Sequence, residues 1–299
     1  MTVVELIEQH SARLSSAGVS FGQGTTNAFD EAAWLVLWRL GLPLDSLDKH
    51  ADRAADADEQ AACAVLIEQR INSRRPAAYL TGEAWLQGVP FTVDERVIVP
   101  RSLIAEVLAA GSIDPFLSDA TQRVLDLCTG NGSLAVLAAM AWPELQVDAA
   151  DLSGDALAVA ALNVARHGLQ QRVHLHQGDG LAAVSGKRYD LILCNPPYVN
   201  AASMASLPPE FNAEPALALD GNAAGSSDGM DFVRQLLRQA SRAMTDDAAL
   251  VLEIGHERAH FDAAFPGLEP LWLGCSMGDD QLLLLTRQAL CTWHCRLSS

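Results

Sequence analysis

From Arg123 onward the chain alternates between two hydrophobic periods, and that alternation limits its fold more than any other feature. The runs "RVLDLC", "LQVDAAD", "RVHLHQ" and "YDLILC" are short, apolar and of strand length, whereas "SLAVLAAMAW" and "SGDALAVAALNVARHG" carry apolar residues at three- and four-residue spacing. Strand and helix in that order predict a parallel sheet wound by right-handed crossovers, an α/β fold. A helix from about Met230 to Ala243, the strand "AALVLEI" and the helix "HERAHFDAAF" come after them. The last apolar runs, "LEPLWLG" and "QLLLLT", are expected to pair antiparallel at the sheet edge. Ligands of open α/β sheets bind at the carboxyl ends of strands, so the residues just after each run are the candidates for chemistry.

The front of the chain has another character. "VVELIEQHSARL", "NAFDEAAWLVLWRL" and "DEQAACAVLIEQRI" are helical in spacing and predict a small helical domain over residues 1–80. Residues 82–99 alternate apolar and polar, with Gly88 and Pro90 near the bend of a β-hairpin; the "PRS" of residues 100–102 and a helix through "LIAEVLAA" complete a link over 81–118. Residues 119–299 are the α/β domain, and "DGNAAGSSDG", residues 220–229, reads as its one flexible linker.

At 299 residues and 49% hydrophobic, the chain is long enough for two modest cores. It has no apolar run near the roughly 18 residues that a membrane span needs, and "MTVVELIEQH" lacks a signal peptide's basic flank and greasy core, so a cytoplasmic protein is expected. The six cysteines have no framework spacing and are expected to be reduced thiols; Cys291, His294 and Cys295, on what reads as a C-terminal tail, are too few for a metal site. Thirty-seven acids against 20 Lys and Arg give a net charge of -17, which argues against a generic nucleic-acid binder and suits a basic partner. The acids from Asp45 to Glu59 read as a solvated loop and helix start.

The first strand delivers "DLCTGNG", residues 126–132, and then opens a helix. Thr129, Gly130, Asn131 and Gly132 would let the backbone pass close to a ligand at a helix N-terminus; the spacing alone leaves a dinucleotide possible. Asp151, nineteen residues after Gly132, ends the second strand, where a carboxylate can take the ribose hydroxyls of a nucleoside. Asp179 and Gly180 follow the third strand, where an acid can accept a bond from an adenine amino group. Asp126, Asp151 and Asp179 together suit a cationic adenosyl ligand better than a pyrophosphate, which they would repel.

The fourth strand ends in "NPPY", residues 195–198, a stiff turn that cannot continue a strand. With a sulfonium methyl donor over the first two strands, Asn195 and the Pro196 carbonyl could accept the hydrogens of an –NH2 group, Pro197 would stiffen the turn, and Tyr198 could stack on a planar acceptor. That chemistry fits an amide or an aromatic amine equally well.

"DLCTGNG", Asp151 and "NPPY" resemble a class I S-adenosylmethionine-dependent methyltransferase. With the helical front, "RRPAAYLTGEAWLQGVPFTVDERVIVPRS" and "NPPYV", the chain resembles the HemK-type protein-glutamine methyltransferases over nearly its whole length. The resemblance implies a Rossmann-like, mostly parallel seven-stranded sheet, S-adenosyl-L-methionine as cofactor, and a glutamine side-chain nitrogen as methyl acceptor. One branch of the family acts on peptide-chain release factors, another on large-subunit ribosomal protein L-three, and the resemblance implies that the helical domain of residues 1–80, with the loop after Tyr198, recognises the substrate. Cys128 in "DLCTG", "MASLPPEFNAEPALAL" and "SSDGM" are similar to the ribosomal-protein branch, which implies a basic substrate, alone or within an assembling large subunit. Adenine-amino methyltransferases of nucleic acid share "NPPY", and a non-catalytic ribosome assembly factor is the third reading. Gly180 stands where the family often has a bulkier residue over the adenine, which implies a less enclosed pocket, while Glu214 and Pro215 match an "EP" segment expected to brace the site.

Overall fold

The computed structural model describes residues 1–297. Five helices come first: α1 (Val3–Ser16), α2 (Ala28–Arg39), the single turn α3 (Leu47–His50), α4 (Ala57–Ser73) and α5 (Ala77–Thr81). Their starts are set by capping chemistry. Thr2 with Glu5 and Asp56 with Glu59 form capping boxes, and Asn27 accepts from the Asp30 amide. Leu6, Ile7 and Leu14 of α1 meet Leu35 of α2 and Ile67 of α4 in one core. This core continues through Val93, Val97 and Val99 to Ala156 and Val159, so the helical unit is packed onto the α/β domain.

The hairpin comprises β1 (Glu83–Leu86) and β2 (Val89–Thr92). Its bend is Gln87–Gly88, both left-handed (φ 50 and 75), the pattern of a type I′ turn. The strands are shorter than the alternation over 82–99 predicts, because beyond Val93 the backbone finds partners outside the hairpin. The Val99 amide, for example, donates to the Glu214 carboxylate. Helix α6 (Ile104–Ala109) leads to the sheet.

The sheet is assembled in chain order from β3 (Arg123–Leu127), α7 (Ser133–Ala141), β4 (Gln146–Asp151), α8 (Gly154–Arg166), β5 (Val173–Gln177) and β6 (Tyr189–Cys194). The short α9 (Ala201–Met204), then α10 (Asp231–Ala243), β7 (Met244–Glu253), α11 (Arg258–Ala264), β8 (Leu271–Cys275), β9 (Gly278–Thr286) and α12 (Arg287–Leu297) complete it. Strand order is β5-β4-β3-β6-β7-β9-β8, with β9 antiparallel to both neighbours and the other pairings parallel. It is the mostly parallel, seven-stranded, Rossmann-like sheet that the resemblance implies. Val124, Leu191 and Leu193 face a layer with α6 and α7, while Leu125, Leu127 and Ile192 face α10 and α12. The winding reverses between β3 and β6, so a crevice opens at their carboxyl ends. Leu127 pairs with Cys194 there, which sets the glycine turn beside "NPPY".

Two expectations are corrected. The segment carrying Cys291, His294 and Cys295 is no tail but part of α12, which buries Leu290 and Trp293, three residues apart on one helix face, and whose Trp293 indole donates to the Pro266 carbonyl at 3.1 Å. Residues 220–229 are no flexible linker either. The Asn222 carboxamide donates to the Val199 carbonyl (3.0 Å) and Asp220 (2.7 Å) and accepts from the Gly229 amide (2.8 Å), while Asp231 takes the amides of Ala224 and Ser226. A Cβ at Gly229 (φ 77) would lie 2.1 Å from the Tyr198 carbonyl oxygen, so this loop is fitted to the back of "NPPY".

Candidate active site

A cavity of about 370 Å³ lies across the carboxyl ends of β3, β4 and β6, within the usual range of roughly 300–1,000 Å³ for small-molecule sites. Gly130, Asp151, Asp179 and Gly180 border one side of it, Asn195 and Pro197 another. The glycine turn bends through three left-handed residues, Cys128, Gly130 and Gly132. Asp151 pins that turn: its Oδ2 accepts from the Gly130 amide and its Oδ1 from the Ser153 amide, both at 2.9 Å. Burial holds its carboxyl above the usual range.

Not every predicted site residue reaches the cavity. Asp126 is fully buried inside β3, where its Oδ2 accepts from the Thr129 hydroxyl (2.5 Å) and the Ala135 amide (2.9 Å). Burial pushes its carboxyl up to about 7. It braces the turn from behind, because the side chain of a residue two before Cys128 points into the sheet layer rather than over the strand end. Thr129, Asn131 and Gly132 are likewise behind the cavity wall; Asn131 takes the Ser133 amide on its Oδ1 and Asn163 on its carbonyl. The space beside Gly180 is filled after all. A Cβ there would lie 3.6 Å from Gln235 Nε2 and 3.7 Å from the Phe232 ring, both delivered by α10, and Gln235 donates to Asp179 at 3.4 Å.

The lining decides which ligand fits. Asp151 and Asp179 supply carboxylates, Leu152 and Phe232 apolar surface; the sole cationic side chain among the described lining residues is Arg96, which Asp94 already holds through two contacts of 2.9 and 2.6 Å. No cationic side chain of the lining is then left free of a carboxylate to neutralise a pyrophosphate. A cationic adenosyl group suits this donor set, and a dinucleotide does not.

At the acceptor end, the Asn195 carboxamide and the Pro196 carbonyl have no hydrogen-bond partner among the described residues. Two acceptors are thus left unused at a strand end, although Asn195 lines the cavity and Pro196 does not. Tyr198 does not line the cavity: its ring packs against Gly255, where a Cβ would come within 2.6 Å, and its hydroxyl donates to Glu253 at 3.3 Å. Burial and the Glu253 charge push that hydroxyl's pKa up. Glu253 in turn takes the Ser102 hydroxyl (2.6 Å) and the Leu103 amide (3.0 Å), tying "PRS" to "NPPY". Glu214, 4% exposed, accepts from the Val99 amide at 2.8 Å and makes a two-pronged pair with Arg101 at 2.6 and 2.7 Å, the bracing expected of the "EP" segment.

Asn163, Phe232 and Glu253 were not singled out from the sequence. A polar residue on an otherwise apolar helix stripe, and an acid closing the apolar run "AALVLE", are the signals that mark Asn163 and Glu253; Phe232 carries none.

A family described as "Methyltransferase small domain" matches residues 109–220. The chain is 54% identical over 293 residues to the ribosomal protein uL3 glutamine methyltransferase of Bordetella pertussis, covering 97% of each. It is 50% identical to the protein so named from Burkholderia pseudomallei, covering 95% of this chain and 94% of that one. Among solved structures, a methyltransferase from Pyrococcus furiosus is 16% identical, with a TM-score of 0.46 over 68% of this chain and 90% of that one.

Proposed function

This chain belongs to the ribosomal protein uL3 glutamine methyltransferase family, and from that premise we propose that it methylates the side-chain amide nitrogen of a glutamine in ribosomal protein uL3. The observation that carries the reading is a pair of unused acceptors at the end of β6: Asn195 Oδ1, on a residue that lines a cavity suited to a cationic adenosyl group, and the carbonyl of the adjoining Pro196. S-adenosylmethionine, when bound, supplies an electrophilic methyl group on sulfur. Asp151 and Asp179 hold its adenosyl part, with Gly130 allowing close approach. Asn195 and Pro196 accept the two hydrogens of the glutamine amide and so turn its nitrogen toward the methyl group. Pro197 stiffens the turn, and Tyr198, held by Gly255 and Glu253, fixes its far end. As its nitrogen gains a bond to carbon the amide grows acidic and gives up its surplus proton to water, so alignment and fixed dipoles suffice and no strong base is required.

The net charge of -17 favours a basic protein over nucleic acid as partner. No described helix is long and apolar enough to cross a membrane. As a modifier of a ribosomal protein, the enzyme is assigned to the cytoplasm, acting on uL3 free or in an assembling large subunit. The test is incubation with methyl-labelled cofactor and three acceptors, uL3 or undermethylated large subunits, a release factor, and DNA, followed by mass mapping. Label on a uL3 glutamine is expected, and Asn195→Ala should slow it by about a hundredfold. Label on the release factor or on DNA alone would overturn the assignment, and an unchanged single-turnover rate in Asn195→Ala would sink the mechanism.

A further inference from the structure

The segment after "NPPY" does not merely cover the cavity; it is bolted into the helical unit by a buried charge. Glu210 is 0% exposed, yet it belongs to the loop between α9 and the cavity-lining Pro215. Its carboxylate meets Arg74 of the α4 C-cap at 3.1 Å and Arg70 of α4 at 3.6 Å, and its carbonyl accepts from Gln23 at 3.3 Å. The next residue, Phe211, lies over Gly22 on one side and under the Arg101 guanidinium, 5.5 Å from the ring centroid, on the other.

Both arginines have other partners within the helical unit. Arg70 pairs with Glu31 at 2.8 Å and donates to the Ser20 carbonyl, while Arg74 donates to the carbonyls of Ala17 and Gly18. The helical unit therefore satisfies its own arginines in large part, and Glu210 is the one carboxylate that reaches them from beyond "NPPY". Burying a carboxylate costs several kcal/mol, which an apolar residue in the same place would not incur. What such a charge supplies that an apolar residue cannot is a single register. That register passes along the chain. Glu214, four residues on, is clamped by Val99 and Arg101, and Pro215, Leu217 and Ala218 then line the same cavity as Asn195.

We propose that Glu210, held by Arg70 and Arg74, is a positioning residue that sets the acceptor-side wall of the site and so couples the helical unit to binding of the protein substrate. This coupling rests on glutamine methylation of uL3 as the reaction of the site. The cofactor side, bordered by Gly130, Asp151 and Asp179, is formed by other segments, so the effect falls on the acceptor.

The test is a cycle of Glu210→Gln, Arg74→Ala and the double variant, with steady-state kinetics on uL3 and calorimetric binding of the cofactor. Each single variant should raise KM for uL3 about tenfold with kcat and cofactor affinity within about threefold, and the double variant should be no worse than either single one. A purely structural role would lower Tm without moving that KM. Unchanged KM in both variants, or fully additive effects, would overturn the proposal. If Glu210→Gln does not fold, Gln23→Ala, which removes the donor to the Glu210 carbonyl and leaves the Glu210 carboxylate in place, should raise the same KM in the same direction. Amide exchange separates the two readings: should the wild type label no uL3, faster exchange over 205–219 in Glu210→Gln still supports the coupling, and identical exchange overturns it.

Discussion

The Asn163 carboxamide of α8 donates to the Asn131 carbonyl in the glycine turn at 2.8 Å and to the Thr92 carbonyl at 3.0 Å, while its oxygen accepts from the Thr92 amide at 2.7 Å. One fully buried side chain thereby joins the hairpin to the turn that borders the cofactor side of the cavity. Asn163→Ala strands three backbone groups. At roughly 1–3 kcal/mol for each buried group left unpaired, partly relieved by relaxation, the expected loss is about 3 kcal/mol in urea unfolding. Cofactor affinity should fall with it, because the turn loses its anchor. A variant of wild-type stability would show that the contact is dispensable.

The pair of Arg101 and Glu214 is asymmetric, and the asymmetry predicts which partner matters more. Glu214 has a fully buried side chain, whereas that of Arg101 is 26% exposed. Arg101→Ala leaves a buried carboxylate with only the Val99 amide and should cost about 3–5 kcal/mol. Glu214→Gln leaves a neutral amide that still accepts from Val99, and an arginine that can reach water, so it should cost less than half as much. Paired denaturation curves decide this; equal losses would mean that the buried charge is not the controlling term.

How far the sequence foretells the structure depends on the range of each interaction. The strands and helices were legible because their apolar periods are local, and "DLCTGNG", Asp151 and "NPPY" because topology alone brings strand ends together. Contacts between distant segments were not legible. Phe232 lies 52 residues beyond Gly180 and reaches it only because α10 crosses that loop, so nothing near Gly180 announces it. Asp126 looked like a third strand-end acid, but one residue of strand places its carboxylate inside the fold instead of over the crevice. The loop over 220–229 is composed like a linker, and its order comes from Asn222, Asp228 and Asp231, whose partners only the folded chain supplies.

Phe232 is the one aromatic ring lining the cavity among the described residues, and it stands next to Gly180 and Asp179. A flat base held by Asp179 would lie within its reach. Phe232→Ala should therefore weaken cofactor binding about tenfold, from lost stacking and apolar contact worth about 1–2 kcal/mol. Calorimetry on the variant reads this directly, with Phe232→Leu expected between the two. Equal affinity in wild type and the alanine variant would place the base elsewhere.

Asp126 gives a pH dependence of definite sign. Burial raises its carboxyl from an ordinary 3.8 to about 7, so between those values the folded protein holds a proton that the unfolded chain has released. The stabilisation is complete below the unfolded value and is lost as pH rises through the folded one. Its neighbour in charge, Asp151, opposes ionisation in the same direction. Asn at 126 keeps an acceptor for Thr129 and the Ala135 amide but cannot ionise, so Asp126→Asn should match the wild type near pH 4.5 and melt several degrees above it at pH 8. His10 has the opposite slope: buried without a hydrogen-bond partner, its imidazole is lowered to about 4, and the stability it contributes is lost as pH falls from 6.5 toward that value. Because the two slopes oppose each other in the wild type, the informative quantity is the difference in Tm between wild type and Asp126→Asn at each pH. A difference that stays constant from pH 4.5 to 8 would show that Asp126 is ionised in the fold throughout, and that the turn behind "DLCTGNG" carries a charge rather than a proton.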